Sequence, residues 1–173
     1  MAENRKLGRS ASHRKALLKN QVTDVILHGK IRTTEQKAKE VKSLVDSLIS
    51  VAIKEKDNFT MTTKKVSRAK RDSNDKKVTE VVTSKNGNKY TRIVREIVSE
   101  EVKQDNPSRL AARRTLMKNL NKVKVNGKNV DLPTKMFDEI APKYVNNKGG
   151  YTRIIKLGKR KGDNAEEVIL ELI

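Results

Sequence analysis

The sequence predicts an α+β fold, with about four helices packed on a small mixed or antiparallel sheet and an inserted β-hairpin arm. Three observations carry that reading. Ala38, Val41, Val45, Leu48 and Ala52, with Leu44, Ile49 and Ile53, recur at helical spacing and form one long apolar stripe. VTEVVTS and KYTRIVREIV flank Asn86-Gly87, a strong signal for a type I′ hairpin. YTRIIKL at 151–157 and EVILELI at 167–173 read as a closing antiparallel pair around the loop GKRKGDNA.

Taken in order, residues 1–11 are polar and basic with no period, so they read as a flexible arm. Ser12 is the expected N-cap of a helix over 13–28, whose Leu18, Val22, Val25 and Ile26 fall three and four apart. Gly29 is placed to end it in the left-handed conformation. Lys30 to Thr33 reads as a short extended piece, and Thr33 with Gln36 as a capping box for the striped helix. Residues 57–77 are polar and aperiodic. If Asn86 and Gly87 are the central turn residues, Val82 faces Thr91 and Val81 faces Arg92. Neither face of that hairpin is then cleanly apolar, which suits a projecting arm. Asn106-Pro107 opens a helix carrying Leu110, Leu116, Met117 and Leu120. Asn126-Gly127 marks a small turn. Pro133 opens a further helix with Met136, Phe137, Ile140 and Tyr144, interrupted at Pro142, and Gly149-Gly150 is a turn.

Composition narrows the function. The 173 residues carry 40 Lys plus Arg against 21 Asp plus Glu, a net charge of +19, with no cysteine and two histidines. A folded domain repels itself at that charge and is comfortable beside a polyanion. The charge is spread, with +6 over residues 1–58, +5 over 59–105 and +8 over 106–173, so it belongs to the body and not to one tail. No apolar run approaches the roughly eighteen residues of a membrane span. The start has Glu3 and no apolar core, so no secretory signal is expected. A soluble, intracellular, strongly basic protein is the reading that survives, with no membrane partner and no small-molecule substrate.

Nothing asks for catalysis, a cofactor or a metal. His13 and His28 lie at opposite ends of one predicted helix and cannot share an ion. Asp163 after Gly162 suits an Asx-type turn better than a catalytic carboxylate. There is no Walker loop and no dinucleotide fingerprint. Basic clusters are the candidate binding residues: Arg5-Lys6 with Arg9, Arg14-Lys15 with Lys19, Arg109 with Arg113-Arg114, and Lys159-Arg160-Lys161, with Lys148 beside the glycine pair. Each places cations within reach of a phosphate track, and arginine forks onto phosphate oxygens. Arg32 and Lys37 flank the N-terminus of the striped helix, where free N–H groups and the dipole favour an anion. The five aromatics are too few, and too occupied by helical core spacing, for a base-stacking sheet. Shape and backbone recognition of a folded RNA fits best. A free nucleoid or regulatory nucleic-acid-binding protein would explain the charge equally well.

The chain resembles the bacterial large-subunit ribosomal protein L-seventeen family. The resemblance rests on KLGR at 6–9, SHRKALLKN at 12–20, His28, IRTT at 31–34, KAKE at 37–40, GGYTRI at 149–154 and GDNA at 162–165. It implies a structural constituent of the large ribosomal subunit, cytoplasmic in the ribosome, with large-subunit rRNA and neighbouring large-subunit ribosomal proteins as partners. It also implies RNA contact by Lys6, Arg9, His13, Arg14, Asn20, Arg32, Thr33, Lys37, Tyr151 and Arg153. Residues 1–58 and 106–173 are then expected to form a single ribosomal-protein domain with a basic N-terminal arm. Residues 59–105 would be an inserted extension without counterpart in the short members, and 122–130 a smaller insertion.

Overall fold

The computed structural model describes residues 5–173, so the first part of the expected arm, residues 1–4, lies outside the described residues. The fold is α+β, and the described chain divides into two compact units, one of residues 5–58 with 105–173 and one of residues 59–104.

The first unit begins with a turn that the sequence pattern did not reveal. Leu7 and Gly8 both take left-handed dihedrals, φ 54 and 62, and the Arg9 N–H donates to the Lys6 carbonyl at 3.2 Å. These are the marks of a type I′ turn. Because the turn closes at Arg9, the next residue becomes the cap. Helix α1 therefore spans Ala11–His28 with Ser10 as N-cap, two residues earlier than the expected Ser12. It ends as anticipated, with Gly29 at φ 80 and its N–H on the Val25 carbonyl.

The short extended piece is strand β1, Lys30–Thr34. Its pairing displaces the capping box. Thr33 and Thr34 are held in register opposite Val168 and Glu167, so α2, Glu35–Glu55, starts only after Thr34. The Thr33 hydroxyl instead accepts from the Gln21 side chain at 2.9 Å. The stripe of α2 is as expected: Ala38, Val41, Val45, Leu48, Ile49 and Ala52 are buried, while Leu44 stays 40% exposed. They meet Val22, Val25 and Ile26 of α1 and the inward residues Val168 and Leu170 of the terminal sheet in one core.

Further along, Asn106 caps α3, Pro107–Asn119, with proline in the first turn. Leu116 and Leu120 reach the core, whereas Leu110 and Met117 face outward. Strands β6, Val123–Val125, and β7, Lys128–Val130, form a two-residue hairpin in which Asn126 and Gly127 take φ 50 and 76, the type I′ geometry. Helix α4, Leu132–Lys135, is capped by Asp131 and continues as a π turn over Met136–Ile140 and a 3₁₀ turn over Ala141–Tyr144. The expected break at Pro142 is this change of register. Proline has no N–H to give to Asp138, so the ladder widens before it and tightens after it. Strands β8, Thr152–Lys159, and β9, Glu166–Leu172, close the fold, and β1 joins them in the antiparallel order β1-β9-β8.

The second unit is made of strands alone. Residues 57–77, aperiodic in sequence, hold an 11-residue strand β2, Phe59–Ala69, paired with β5, Arg95–Asp105. Between them, β3, Thr79–Thr83, and β4, Lys89–Ile93, form the expected hairpin. Its register corrects the one inferred from sequence: Val82 pairs with Tyr90 and Val81 with Thr91. The loop is one residue longer than a type I′ turn. The Gly87 N–H closes onto Ser84 O at 2.9 Å with Gly87 alone at positive φ, a type I turn with a left-handed glycine. Ribbons meet where Lys70 N–H donates to Val94 O, Val94 N–H to Val78 O, and Val78 N–H to Lys70 O, a closed cycle of three bonds. No residue from 59 to 104 is fully buried, since a two-stranded ribbon has no second layer to cover it. That also explains why β2 lacked an alternating pattern: with no core face to specify, only its β-branched composition was left as a signal.

Candidate nucleic-acid interface

The turn at Lys6–Arg9 and the N-terminal half of α1 form the first basic surface. The first and fourth residues of a tight turn lie side by side, so Lys6 and Arg9 present together, both exposed. His13 and Lys15 are exposed and Arg14 and Lys19 half-buried on the helix that follows. α1 has no acidic residue in its first turn and no side-chain cap, so its dipole adds to the positive field. The side chains of Lys6, Arg9, Arg14, Lys15 and Lys19 have no carboxylate partner among the described residues, whereas Arg5 is bound to Glu40 at 3.0 Å. Asn20 accepts from Asn121.

A second surface is the outer face of the terminal sheet with its loop. Arg32, Ile169 and Ile155 lie in one cross-strand row, with Lys30, Glu171 and Arg153 in the next. Here the arginines are already paired. Arg32 donates to Glu167, and Arg153 Nε donates to Glu171 at 3.0 Å. In the loop, Arg160 Nε donates to Asp163 at 2.9 Å, while Lys159 and Lys161 stay exposed without carboxylate partners among the described residues. Asp163 also accepts from the Ala165 N–H, the Asx-type turn anticipated from sequence. The Arg160 guanidinium, with that N–H, holds the Asp163 carboxyl down from its ordinary 3.8 to about 2. A carboxylate depressed by its folded partners contributes above its ordinary value and loses that contribution as pH falls through the folded one. A carboxyl-carbon NMR titration is therefore expected to place the Asp163 midpoint near 2; a midpoint near 3.8 would show the loop pair to be open in solution.

Several candidates fall elsewhere. The N-terminus of α2 carries its own acid, Glu35, bound to Lys39 at 2.9 Å and near Lys156 at 3.7 Å. Lys39 and then Lys156 lower its pKa, so that helix end is already neutralised, with Arg32 turned to Glu167 and Lys37 half-buried. Arg109, expected on a surface, is 1% exposed. It meets Asp105 at 3.1 Å and Asp138 at 3.8 Å, donates to Lys56 O at 2.8 Å and stacks 4.6 Å from the Phe137 ring. Arg113 joins the same cluster through Asp105 and Thr134. Tyr151 is buried edge-on against Tyr144, with ring centroids 5.5 Å apart. Arg114 and Lys148 are exposed. Lys118, which the sequence did not single out, lines one groove with Arg14, Lys15 and Lys19. Among the described residues, no cluster of His, Asp or Glu could hold a metal, and no helix is long and apolar enough to cross a membrane.

Residues 17–173 match a family model described as "Ribosomal protein L17". The chain belongs to the ribosomal protein L17 family. It is 53% identical to a "Large ribosomal subunit protein bL17" of Acetivibrio thermocellus and 52% identical to one of Lachnospira eligens, with all of each chain covered. A protein of the same name from Listeria innocua is 37% identical, with 98% of each chain covered. Family membership makes this a ribosomal protein and not an enzyme. The matches to these relatives run the full length of the chain or nearly so. Residues 59–104 thus lie within the matched span of the first two and are not peculiar to this sequence.

Proposed function

We propose that the chain is a structural constituent of the large ribosomal subunit, gripping large-subunit rRNA through phosphate and shape contacts. Its place is the cytoplasmic ribosome, beside other large-subunit proteins. The observation that carries this is the basic surface of Lys6, Arg9, Arg14, Lys15 and Lys19, whose cations have no carboxylate partner among the described residues. Lysines and arginines left unpaired in a chain of net charge +19 find their counter-charge outside it. His13, Asn20, Arg114, Lys148, Lys159 and Lys161 extend the contact. Arg32, Arg153 and Arg160 join it with their carboxylates as orienting partners, while Arg109, Arg113, Thr33 and Tyr151 support the fold behind it. Backbone and shape contacts need no exposed ring, in keeping with the burial of Tyr144 and Tyr151.

The test is a sucrose gradient of lysate at moderate and high salt. Co-sedimentation with the large subunit through high salt, abolished by RNase, is the expected result. Protein at the top of the gradient, or bound at low salt only, would make it a free nucleic-acid-binding protein instead.

Residues 1–58 and 105–173 form the domain in this reading, and 59–104 an arm laid on RNA or on a neighbouring protein. The arm has no buried residue of its own, so assembly supplies its second layer. Asn58 and Asn106 bond each other through backbone and side chains, the latter at 2.7 Å, so the chain leaves and re-enters the first unit at adjacent points. Replacing 59–104 by a short glycine linker, with Asp105 kept for Arg109, is expected to leave the thermal midpoint within a few degrees of the parent. A collapse of cooperative unfolding would show that the arm is part of the domain. Protease should cut 59–104 faster in free protein than in subunits; equal rates would refute the docked arm.

A further inference from the structure

A groove of about 620 Å³ runs between α1, α2 and α3. Leu18 and Val22 of α1 and Leu44, Leu48 and Val51 of α2 make its floor, and Leu44 is 40% exposed there, whereas Ala38, Val41, Val45, Leu48, Ile49 and Ala52 of the same stripe are buried. Its rim carries Arg14, Lys15 and Lys19 from α1 and Lys118 from α3. Among the described residues that line it, the one acid, Glu40, is held by Arg5. Ser47 and Asn119 add hydrogen-bonding groups, and the Asn119 amide nitrogen already donates to Thr115 O, leaving its oxygen free to accept.

We propose that this groove receives one unstacked nucleotide of RNA, with the base on the leucine and valine floor and its flanking phosphates on Arg14, Lys15, Lys19 and Lys118. The inference rests on the RNA-binding reading above and names what that surface takes. Charge complementarity selects the occupant. Four cations around an apolar floor match a flat group with stackable faces that carries anions on both sides, which is a nucleotide within a strand. The volume lies inside the roughly 300–1,000 Å³ of sites for small organic groups. A paired base cannot enter, since its faces are stacked and its edge is occupied; a bulge or loop nucleotide can. The floor is aliphatic, so binding would tolerate any base and read RNA shape, the presence of a splayed nucleotide, more than sequence.

The experiment uses the full-length protein with a ten-nucleotide single-stranded RNA carrying one 4-thiouridine, and a ten-base-pair RNA duplex for comparison. Leu44→Asn changes the floor without changing charge, and its fold is checked by circular dichroism and melting. Loss of a base–side-chain contact predicts about a tenfold weaker single-strand affinity for this variant, with the salt slope and duplex affinity unchanged. Photo-crosslinks are expected in the peptides holding Leu18 and Leu44. Unchanged single-strand affinity with a normal salt slope would overturn the groove while leaving the RNA-binding reading intact. Absence of salt-dependent RNA binding in the parent would overturn both. If Leu44→Asn spares RNA affinity but removes a protein crosslink in assembled subunits, the groove belongs to a protein segment and the proposal fails.

Discussion

Replacing Arg109 by alanine is expected to lower stability by about 3 kcal/mol, near the lower end of the range for breaking a buried ion pair. The lower end applies because Arg113 still holds Asp105 after the change and Asp138 is 40% exposed, so neither carboxylate is stranded. What disappears is the bond to Lys56 O, the stacking on Phe137 and the filling of a space that leaves Arg109 1% exposed. Through these contacts the guanidinium ties the end of α2 and the start of α3 to the π turn that follows α4. For a domain of this size, the loss corresponds to a fall of about 6–12 °C in thermal midpoint. Arg114→Ala, on the exposed side of the same helix, should stay within about 0.5 kcal/mol. Arg109→Lys should recover little, because an ammonium cannot fork to two carboxylates and a carbonyl while lying flat on a ring. Calorimetry of the two alanine variants checks this. Equal midpoints would mean that Arg109 faces solvent and is available to a phosphate after all.

The second large effect concerns binding. Substituting Arg9, Arg14 and Lys15 together by glutamine should reduce the slope of log affinity against log salt by about two to three, and weaken rRNA-fragment binding at 0.1 M salt roughly a hundredfold. The same treatment of Arg32, Arg153 and Arg160 should cost less. Each of those arginines already has a carboxylate, and a phosphate that recruits it must first displace Glu167, Glu171 or Asp163. Filter binding over a salt series separates the two triples. Identical losses would show that pairing within the fold does not govern which cations meet RNA.

Much of this architecture could be read from residue order. The stripe from Ala38 to Ala52, the glycine at 29, the Asn106-Pro107 start and the terminal strand pair each rest on local chemistry, and each stands where expected. The errors share one cause: a local signal with two solutions. Asn-Gly occurs twice, and only at 126–127 does it make a type I′ turn; at 86–87 a longer loop places Gly87 alone in the left-handed region and shifts the register by one. Ser10 and Ser12 are both competent caps, and the preceding turn chose between them. Thr33 was a plausible cap until pairing with Val168 held it in a strand.

The sequence by itself determined the helices and closing strands of the first unit, the hairpin of the second, and the charge that calls for a polyanion. It also carried the blocks that mark the L17 family. All of these follow from composition and from neighbours a few residues apart. The tertiary structure decided which cations are available. Arg109 and Arg114 belong to one basic helix in sequence, yet packing buries one against Phe137 and leaves the other in solvent. It also brought Lys118 to the groove shared by Arg14, Lys15 and Lys19. A charge is freed or neutralised by what lies within a few ångströms of it, and residues far apart in the chain become neighbours only when the core closes.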